Sequence, residues 1–225
     1  MNLCVIGASR GIGLGLVESY LARGARVLAV VRKPSAALDH LALGAAGRLR
    51  VVLGDLCDPE LGTRLRGELH DEPLDRLIVN AGILGPAAAA RARPTAVELG
   101  ELFLTNAVAP LRVLDALASQ LATKGVVACL SSQMGSVSLA RAAEMPLYGA
   151  SKAALNSLLQ SWVARRQPPC AVLALHPGWV RTELGGAAAP LEVADSVSGL
   201  LATIEARAGQ PGCAFLDYQG QPLPW

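Results

Sequence analysis

Leu3-Cys4-Val5-Ile6-Gly7-Ala8-Ser9-Arg10-Gly11-Ile12-Gly13 decides the fold of this 225-residue chain. The four apolar residues read as a buried strand, and the glycine-rich stretch follows without a gap. From Leu14 to Arg23 the apolar positions Leu14, Val17 and Leu21 fall on one helical stripe, and Gly24 stands where a terminator is expected. Strand, glycine-rich turn and helix, in that order, are the context that a dinucleotide-binding turn requires. Glycine lets the backbone approach a pyrophosphate, and the helix amino terminus offers unpaired N–H groups and a positive dipole end. The spacing is G-x-x-x-G-x-G, not G-x-G-x-x-G, and among 23 glycines the triplet alone is weak evidence. Its place directly after the first strand gives it weight.

Strand and helix patterns alternate from there without repeat or linker. Strands are predicted at 2–6, 26–31, 49–53, 75–79, 125–131, 170–175 and 212–216. Helices are predicted at 12–23, 35–43, 58–69, 95–121, 148–166 and 190–207. Continuous apolar strands such as Val126-Val127-Ala128-Cys129-Leu130 suit a parallel sheet covered on both faces. The expected fold is therefore α/β, a Rossmann-type doubly wound parallel sheet of about seven strands, with residues 1–225 in one domain. Segments 85–94 and 183–190 read as loops.

Composition narrows the function classes. Hydrophobic residues make up 52% of the chain, yet no apolar run approaches the ~18 residues of a membrane span. No charged-then-apolar leader is evident, so a cytoplasmic protein without a membrane partner is expected. The five cysteines (4, 57, 129, 170 and 213) form no C-x-x-C pair, and buried reduced thiols are the reading preferred over disulfides or a metal site. A net charge of +2 with intermixed signs argues against nucleic acid as a partner.

Tyr148-Gly149-Ala150-Ser151-Lys152 carries the chemistry. With three tyrosines and three lysines in the chain, a Tyr four residues before a Lys arises by chance in about one chain in twenty-five. On a helix the two side chains share a face, and a nearby cation favours the phenolate, which suits proton transfer. Taken alone, the pair is equally a surface Lys beside a half-buried Tyr.

The second strand, Arg26 to Val31, ends in Arg32-Lys33, and the nearest downstream acid is Asp39. An NAD-preferring site places an acid there for the ribose 2′-hydroxyl. Arg10 in the turn and Arg32 are instead expected to fork onto a 2′-phosphate, which selects NADP(H). The alternative is two solvated arginines on a rim.

Together these residues resemble the short-chain dehydrogenase/reductase family nearly end to end. Its landmarks occur in order: Gly7 to Gly13, Asp55, Asn80-Ala81-Gly82, Asn106, Ser132, Tyr148 with Lys152, and Pro177-Gly178. The finer likeness is to small carbonyl reductases of the C-factor (C-signal) and sniffer type, carried by His176 to Gly186 and Phe215 to Trp225. Ile6 stands where many members have Thr, and Val79 where many have Asn.

The resemblance implies roles. Gly7, Ser9, Arg10, Gly11, Ile12 and Gly13 would hold the phosphates. Asp55, with Leu56, would meet the adenine, although a helix cap fits Asp55 too and Asp58 is the better cap. Asn80, Ala81 and Gly82 would approach the adenosine ribose. Pro177, Gly178, Val180 and Thr182 would hold the nicotinamide carboxamide. Ser132 would polarise a substrate carbonyl, with Ser131 as the local competitor. Tyr148 would transfer the proton, Lys152 would bind the ribose and support the phenolate, and Asn106 would hold a water linking Lys152 to solvent. His176 reads as structural and Trp179 as wall. Loop 133–147 is slightly long and expected to bulge and shape the pocket, and the short segment 183–190 suggests an open site or a small lid.

The implied function is NADPH-dependent reduction of a small ketone, aldehyde or quinone. A nucleotide-binding signalling protein of C-factor type and a pteridine reductase stay as alternatives. Surplus Leu and Ala on helices 95–121 and 148–166, which relatives pair across a two-fold axis, suggest a homodimer or homotetramer.

Overall fold

The computed structural model describes residues 1–70, 72–86 and 94–225; most of the loop expected at 85–94 lies outside these. β1 (Asn2–Ile6) sits inside a seven-stranded parallel sheet ordered β3-β2-β1-β4-β5-β6-β7. The other strands are β2 (Arg26–Val31), β3 (Leu49–Leu53), β4 (Leu74–Val79), β5 (Leu121–Leu130), β6 (Ala171–His176) and β7 (Gly212–Asp217), and β1 pairs with β2 and β4. This is the expected Rossmann-type α/β domain.

Side-chain alternation divides the core in two. Leu3 and Val5 point to one face, where they join Leu16, Val17 and Tyr20 of α1 (Gly11–Ala22), Leu38 of α2 (Ala36–Gly44) and Leu200 and Ile204 of α7 (Val193–Ala206). Cys4 and Ile6 point to the other, against Leu61 and Leu65 of α3 (Leu61–Leu69), Val113 and Leu114 of α5 (Ala109–Leu117) and Leu155 and Leu159 of α6 (Pro146–Arg166). Each such buried side chain contributes roughly 1.5–3 kcal/mol relative to exposure. The strand order reverses between β1 and β4, so the carboxyl ends of these strands open a crevice, the usual binding place in open α/β sheets.

Several expected boundaries move, among them the helix expected from 190, which begins at Val193, and the helix expected from 148, which begins at Pro146. The helix predicted from 58 begins at Leu61 with Glu60 as its uncapped first flank; Asp58 instead accepts the Glu60 N–H at 2.9 Å in the turn before it, so it is not the cap. The predicted helix 95–121 is three pieces. α4 (Ala96–Phe103) starts on a capping box between Thr95 and Glu98, a π-helical turn spans Leu104–Val108, and α5 follows and closes in a short 3-10 turn at Ala118–Gln120. Pro110 explains the break: it has no N–H for the Asn106 carbonyl four residues back, and its ring crowds that carbonyl. β5 begins at Leu121, four residues early, because Leu121 pairs with Leu74 before a register irregularity around Gly125 resets the ladder at Val126.

By length and composition Ala96–Gln120 could cross a membrane. Here its residues Leu102, Ala107, Val113, Leu114 and Leu117 are core. At the end of the sheet away from the glycine turn, buried Arg76 of β4 grips Glu205 of α7 through two bonds (3.0 and 2.6 Å), and the Tyr20 hydroxyl donates to the same carboxylate at 2.8 Å. Three elements are thereby tied together far from the crevice.

Candidate active site

The glycine turn is closed by the protein's own backbone. Gly7 has φ +88°, and a Cβ there would lie 2.7 Å from the Ala81 nitrogen. A Cβ on Gly13 would lie 2.1 Å from the Gly7 carbonyl oxygen, which also accepts from Asn80 Nδ2 at 2.7 Å. Only glycine fits either position, and together they draw the start of α1 onto the end of β4. Ala81 N–H donates to the Ile6 carbonyl at 3.0 Å, and the Ser35 hydroxyl bonds the Ser9 carbonyl at 3.2 Å, fixing both sides of the turn. No described hydrogen bond uses the N–H of Gly11, Ile12 or Gly13, and the first turn of α1 carries no acid. Free amides at a helix amino terminus without a competing carboxylate fit the pyrophosphate of a dinucleotide.

Ser132, Tyr148, Lys152 and Asn106 come together beside this turn. Lys152 is 4% exposed, and its ammonium donates to the Leu130 carbonyl at 2.7 Å and lies 5.8 Å from the Tyr148 ring centroid. A Cβ on Gly82 would fall 3.2 Å from Asn106 Oδ1 and 3.4 Å from Lys152 Nζ, so the two side chains border one space that glycine leaves open. Asn106 lies in the π-helical turn and exchanges two bonds with the Ile83 backbone (2.9 and 2.8 Å). Its remaining N–H goes to Ser151 Oγ at 2.9 Å, so one Oδ1 lone pair is left for a water. Ser151 in turn donates to the Tyr148 carbonyl at 2.7 Å.

The two serines separate clearly. Ser131 Oγ donates to buried Asn156 at 2.6 Å, while Ser132 Oγ accepts the Met134 N–H at 3.1 Å and is close enough to the Tyr148 phenol to favour its ionised form. Burial nevertheless pushes that phenol up to about 12, against the smaller favourable effect of Ser132. The expected support of the phenolate by the Lys152 cation is not seen; burial dominates, and the phenol is neutral at pH 7.

Burial lowers the Lys152 ammonium from 10.5 to about 8. An unfolded chain therefore holds more protons between pH 8 and 10.5. Stability should rise with pH through that window, and the full cost of the buried charge should be present below pH 8. Lys152→Met is expected to stabilise the nucleotide-free protein by about 1–3 kcal/mol at pH 7 and to flatten the rise above pH 8. Urea denaturation at pH 7 and pH 10 checks this; a variant less stable than wild type at pH 7 would show that the Leu130 bond outweighs desolvation.

Elsewhere the expected residues divide. Asp55 Oδ1 accepts the Cys57 N–H at 2.8 Å in a turn after β3, and Leu56 is core. Exposed Arg32 directly follows β2. Arg10 forms an ion pair with Glu183 at 3.0 Å, both about 70% exposed (68% and 70%), a partner that the sequence reading lacks. Pro177 accepts the Ser196 hydroxyl at 2.6 Å, Gly178 has φ +86°, and the Thr182 methyl lies 3.2 Å from a Gly11 Cβ position. Segment 183–190 is a short loop tied back to residues 179–182. Gly185 N–H reaches Thr182 Oγ1 at 3.0 Å, Trp179 Nε1 reaches the Gly185 carbonyl at 2.8 Å, and the Arg181 guanidinium takes the Ala189 carbonyl twice. Val180 bridges to Leu191 at its base. Burial lowers the His176 imidazole to about 4, and its buried Nδ1 has no partner among the described residues, so it is neutral at pH 7 and unsuited to proton exchange there. The cysteines are free.

A parallel sheet with an amide-lined glycine turn at its switch point, next to a Ser, a Tyr and a buried Lys, defines a nucleotide-binding oxidoreductase architecture. The sequence model of the short chain dehydrogenase family matches residues 2–191, and the chain belongs to that family. It is 38% identical to C-signal of Myxococcus xanthus over 156 residues, which is 68% of this chain and 93% of that protein. A carbonyl reductase from Pseudomonas aeruginosa in complex with NADP is 52% identical and superposes with a TM-score of 0.93 over 100% of this chain and 99% of that one. The carbonyl reductase Sniffer of D. melanogaster is 30% identical, with a TM-score of 0.87 over 100% and 99% of the two chains.

Proposed function

We propose that the chain is an NADPH-dependent reductase of ketones, aldehydes or quinones. The observation that carries this reading is the meeting of Ser132, Tyr148 and Lys152 beside free amides at the start of α1. The bound dinucleotide would supply the hydride. Gly11, Ile12 and Gly13 would hold its pyrophosphate, and Lys152 would reach its ribose. Ser132 would donate to the substrate carbonyl oxygen as charge develops there. Tyr148 would give that oxygen its phenolic proton, and Lys152 would stabilise the phenolate left behind. Asn106, with its spare lone pair, would hold the water through which the proton is replaced. NADP in the Pseudomonas aeruginosa complex supports the cofactor choice. A carbonyl panel followed by NADPH absorbance tests the reading; no turnover of any member would sink it.

A nucleotide-binding regulatory protein is the second reading, favoured by the likeness to C-signal. Tight NADPH binding without turnover would select it.

We also propose a homo-oligomer through α5 and α6. Val108, at the end of the π-helical turn that leads into α5, and Leu158 of α6 are 39% and 37% exposed, and Arg165 and Arg166 of α6 pair with Asp115 of α5. Sedimentation at micromolar concentration should show a dimer or tetramer, and a monomer would overturn this.

A further inference from the structure

We propose that Trp225 is a positioning residue that fixes the wall of the substrate site, an inference that rests on the reductase reading. The loop of residues 133–147 joins Ser132 to Tyr148, so its course forms the rim between the two side chains that would meet the carbonyl. Its inner side is pressed onto α6. A Cβ on Gly135 would lie 2.8 Å from the Lys152 backbone, and one on Gly149 would lie 2.9 Å from the Met134 carbonyl and 2.3 Å from Ala142 Cβ.

Its outer side rests on Trp225. The Trp225 carbonyl accepts the Ser138 N–H at 3.2 Å, the Ser138 hydroxyl at 2.9 Å and the Ser136 hydroxyl at 3.4 Å. Ser136, only 2% exposed, passes the constraint on by accepting the Leu139 N–H at 3.0 Å.

That carbonyl is held because the tail folds back on β7. Asp217 Oδ1 accepts the N–H groups of Gln219 and Gln221, each at 2.9 Å, and the Leu223 N–H returns to the Phe215 carbonyl at 2.9 Å. The Trp225 ring then docks on Phe215 with centroids 5.4 Å apart. A partly buried indole packed against the core thus carries an acceptor to a loop whose residues before α6 hold only a single 3-10 turn.

Ser132 and Tyr148 also have anchors outside this contact, although Ser132 accepts the Met134 and Gly135 N–H groups of the first turn of the loop (3.1 and 2.8 Å). The Ser131 N–H and hydroxyl fix the end of β5 on Leu175 and Asn156 (2.7 and 2.6 Å), and Tyr148 belongs to α6. Loss of the anchor should therefore loosen the substrate wall and spare the reacting groups. Trp225→Ala is expected to raise the carbonyl KM about tenfold while kcat stays within about threefold. The NADPH Kd, read by fluorescence titration, should stay within about twofold of wild type. Hydrogen exchange should speed at the amides of Ser138 and Leu139. Trp225→Phe, which keeps an aromatic ring over Phe215, should restore both KM and protection.

Unchanged exchange in Trp225→Ala, or faster exchange with unchanged KM, overturns the proposal. So does a parallel loss of NADPH affinity, which would mark general damage. A wild-type protein that binds NADPH and reduces no carbonyl sinks the reductase reading instead; the anchor itself then stands or falls on exchange at Ser138 and Leu139.

Discussion

Tyr148→Phe is expected to keep NADPH affinity within a few-fold of wild type and to lose about 10²- to 10⁴-fold in kcat. The substitution removes one hydroxyl and leaves a ring of the same shape against Lys152, whose ammonium is 5.8 Å from the ring centroid. Lys152 keeps its own anchor on the Leu130 carbonyl, so the group proposed to bind the ribose stays in place. What disappears is the only phenol beside Ser132, and with it the proton for the carbonyl oxygen. Burial holds that phenol near 12, so the group is neutral and keeps its proton across the physiological range, as a donor in the reducing direction would need. Oxidation of an alcohol needs the phenolate and is expected to gain with rising pH. Stopped-flow turnover with a carbonyl that wild type reduces, alongside equilibrium NADPH titration, separates the two quantities. Near-normal kcat in the variant would eliminate Tyr148 as the donor and leave the Ser132 hydroxyl as the group to test next.

The sheet was legible in the sequence because a parallel strand covered on both faces must be apolar throughout, as in Val126 to Leu130, and because glycine turns punctuate it. The order of strands follows from the family resemblance more than from any local pattern. Helix ends were less legible, since tertiary context decides them. The missing signal inside 95–121 was Pro110: a proline four residues after Asn106 marks the carbonyl that loses its partner, and the π-helical turn lies there. The resemblance alone preferred Ser132 to Ser131; the physical reason that Ser131 is engaged elsewhere was not legible, because it lies in Asn156, 25 residues further along, which takes the Ser131 hydroxyl. Ser151 was in plain view within the Tyr148 to Lys152 stretch, but its bond to Asn106 crosses two helices. The Arg10–Glu183 pair joins residues 173 apart with no pattern between them. Periodicity reports which face a residue takes; it is silent about which distant side chain waits on that face.

That same ion pair bears on the choice of cofactor. Replacing Arg10 and Arg32 together with Ala is expected to raise the NADPH KM by a few hundredfold and to leave the NADH KM nearly unchanged. Arg32 is exposed directly after β2, with no ion-pair partner among the described residues, and no acid stands where an NAD-preferring site would place one. Arg10 is held by Glu183, yet both side chains are about 70% exposed (68% and 70%), and such a pair is worth at most about 1 kcal/mol. A 2′-phosphate offers each guanidinium charge-assisted bonds of roughly 1.5–3 kcal/mol apiece, so it should displace the carboxylate. Glu183 then has the opposite sign of effect: Glu183→Gln should tighten NADPH by about twofold to fivefold, the reach of an exposed pair, and leave NADH untouched. Arg10→Ala alone should cost less than the double change, because Arg32 still meets the phosphate. Steady-state kinetics with both cofactors, supported by binding of adenosine 2′,5′-bisphosphate as a fragment carrying the 2′-phosphate, measures each arm. Equal wild-type kcat/KM for NADPH and NADH would show that both arginines simply face solvent, and that the phosphate is not what they are there to meet.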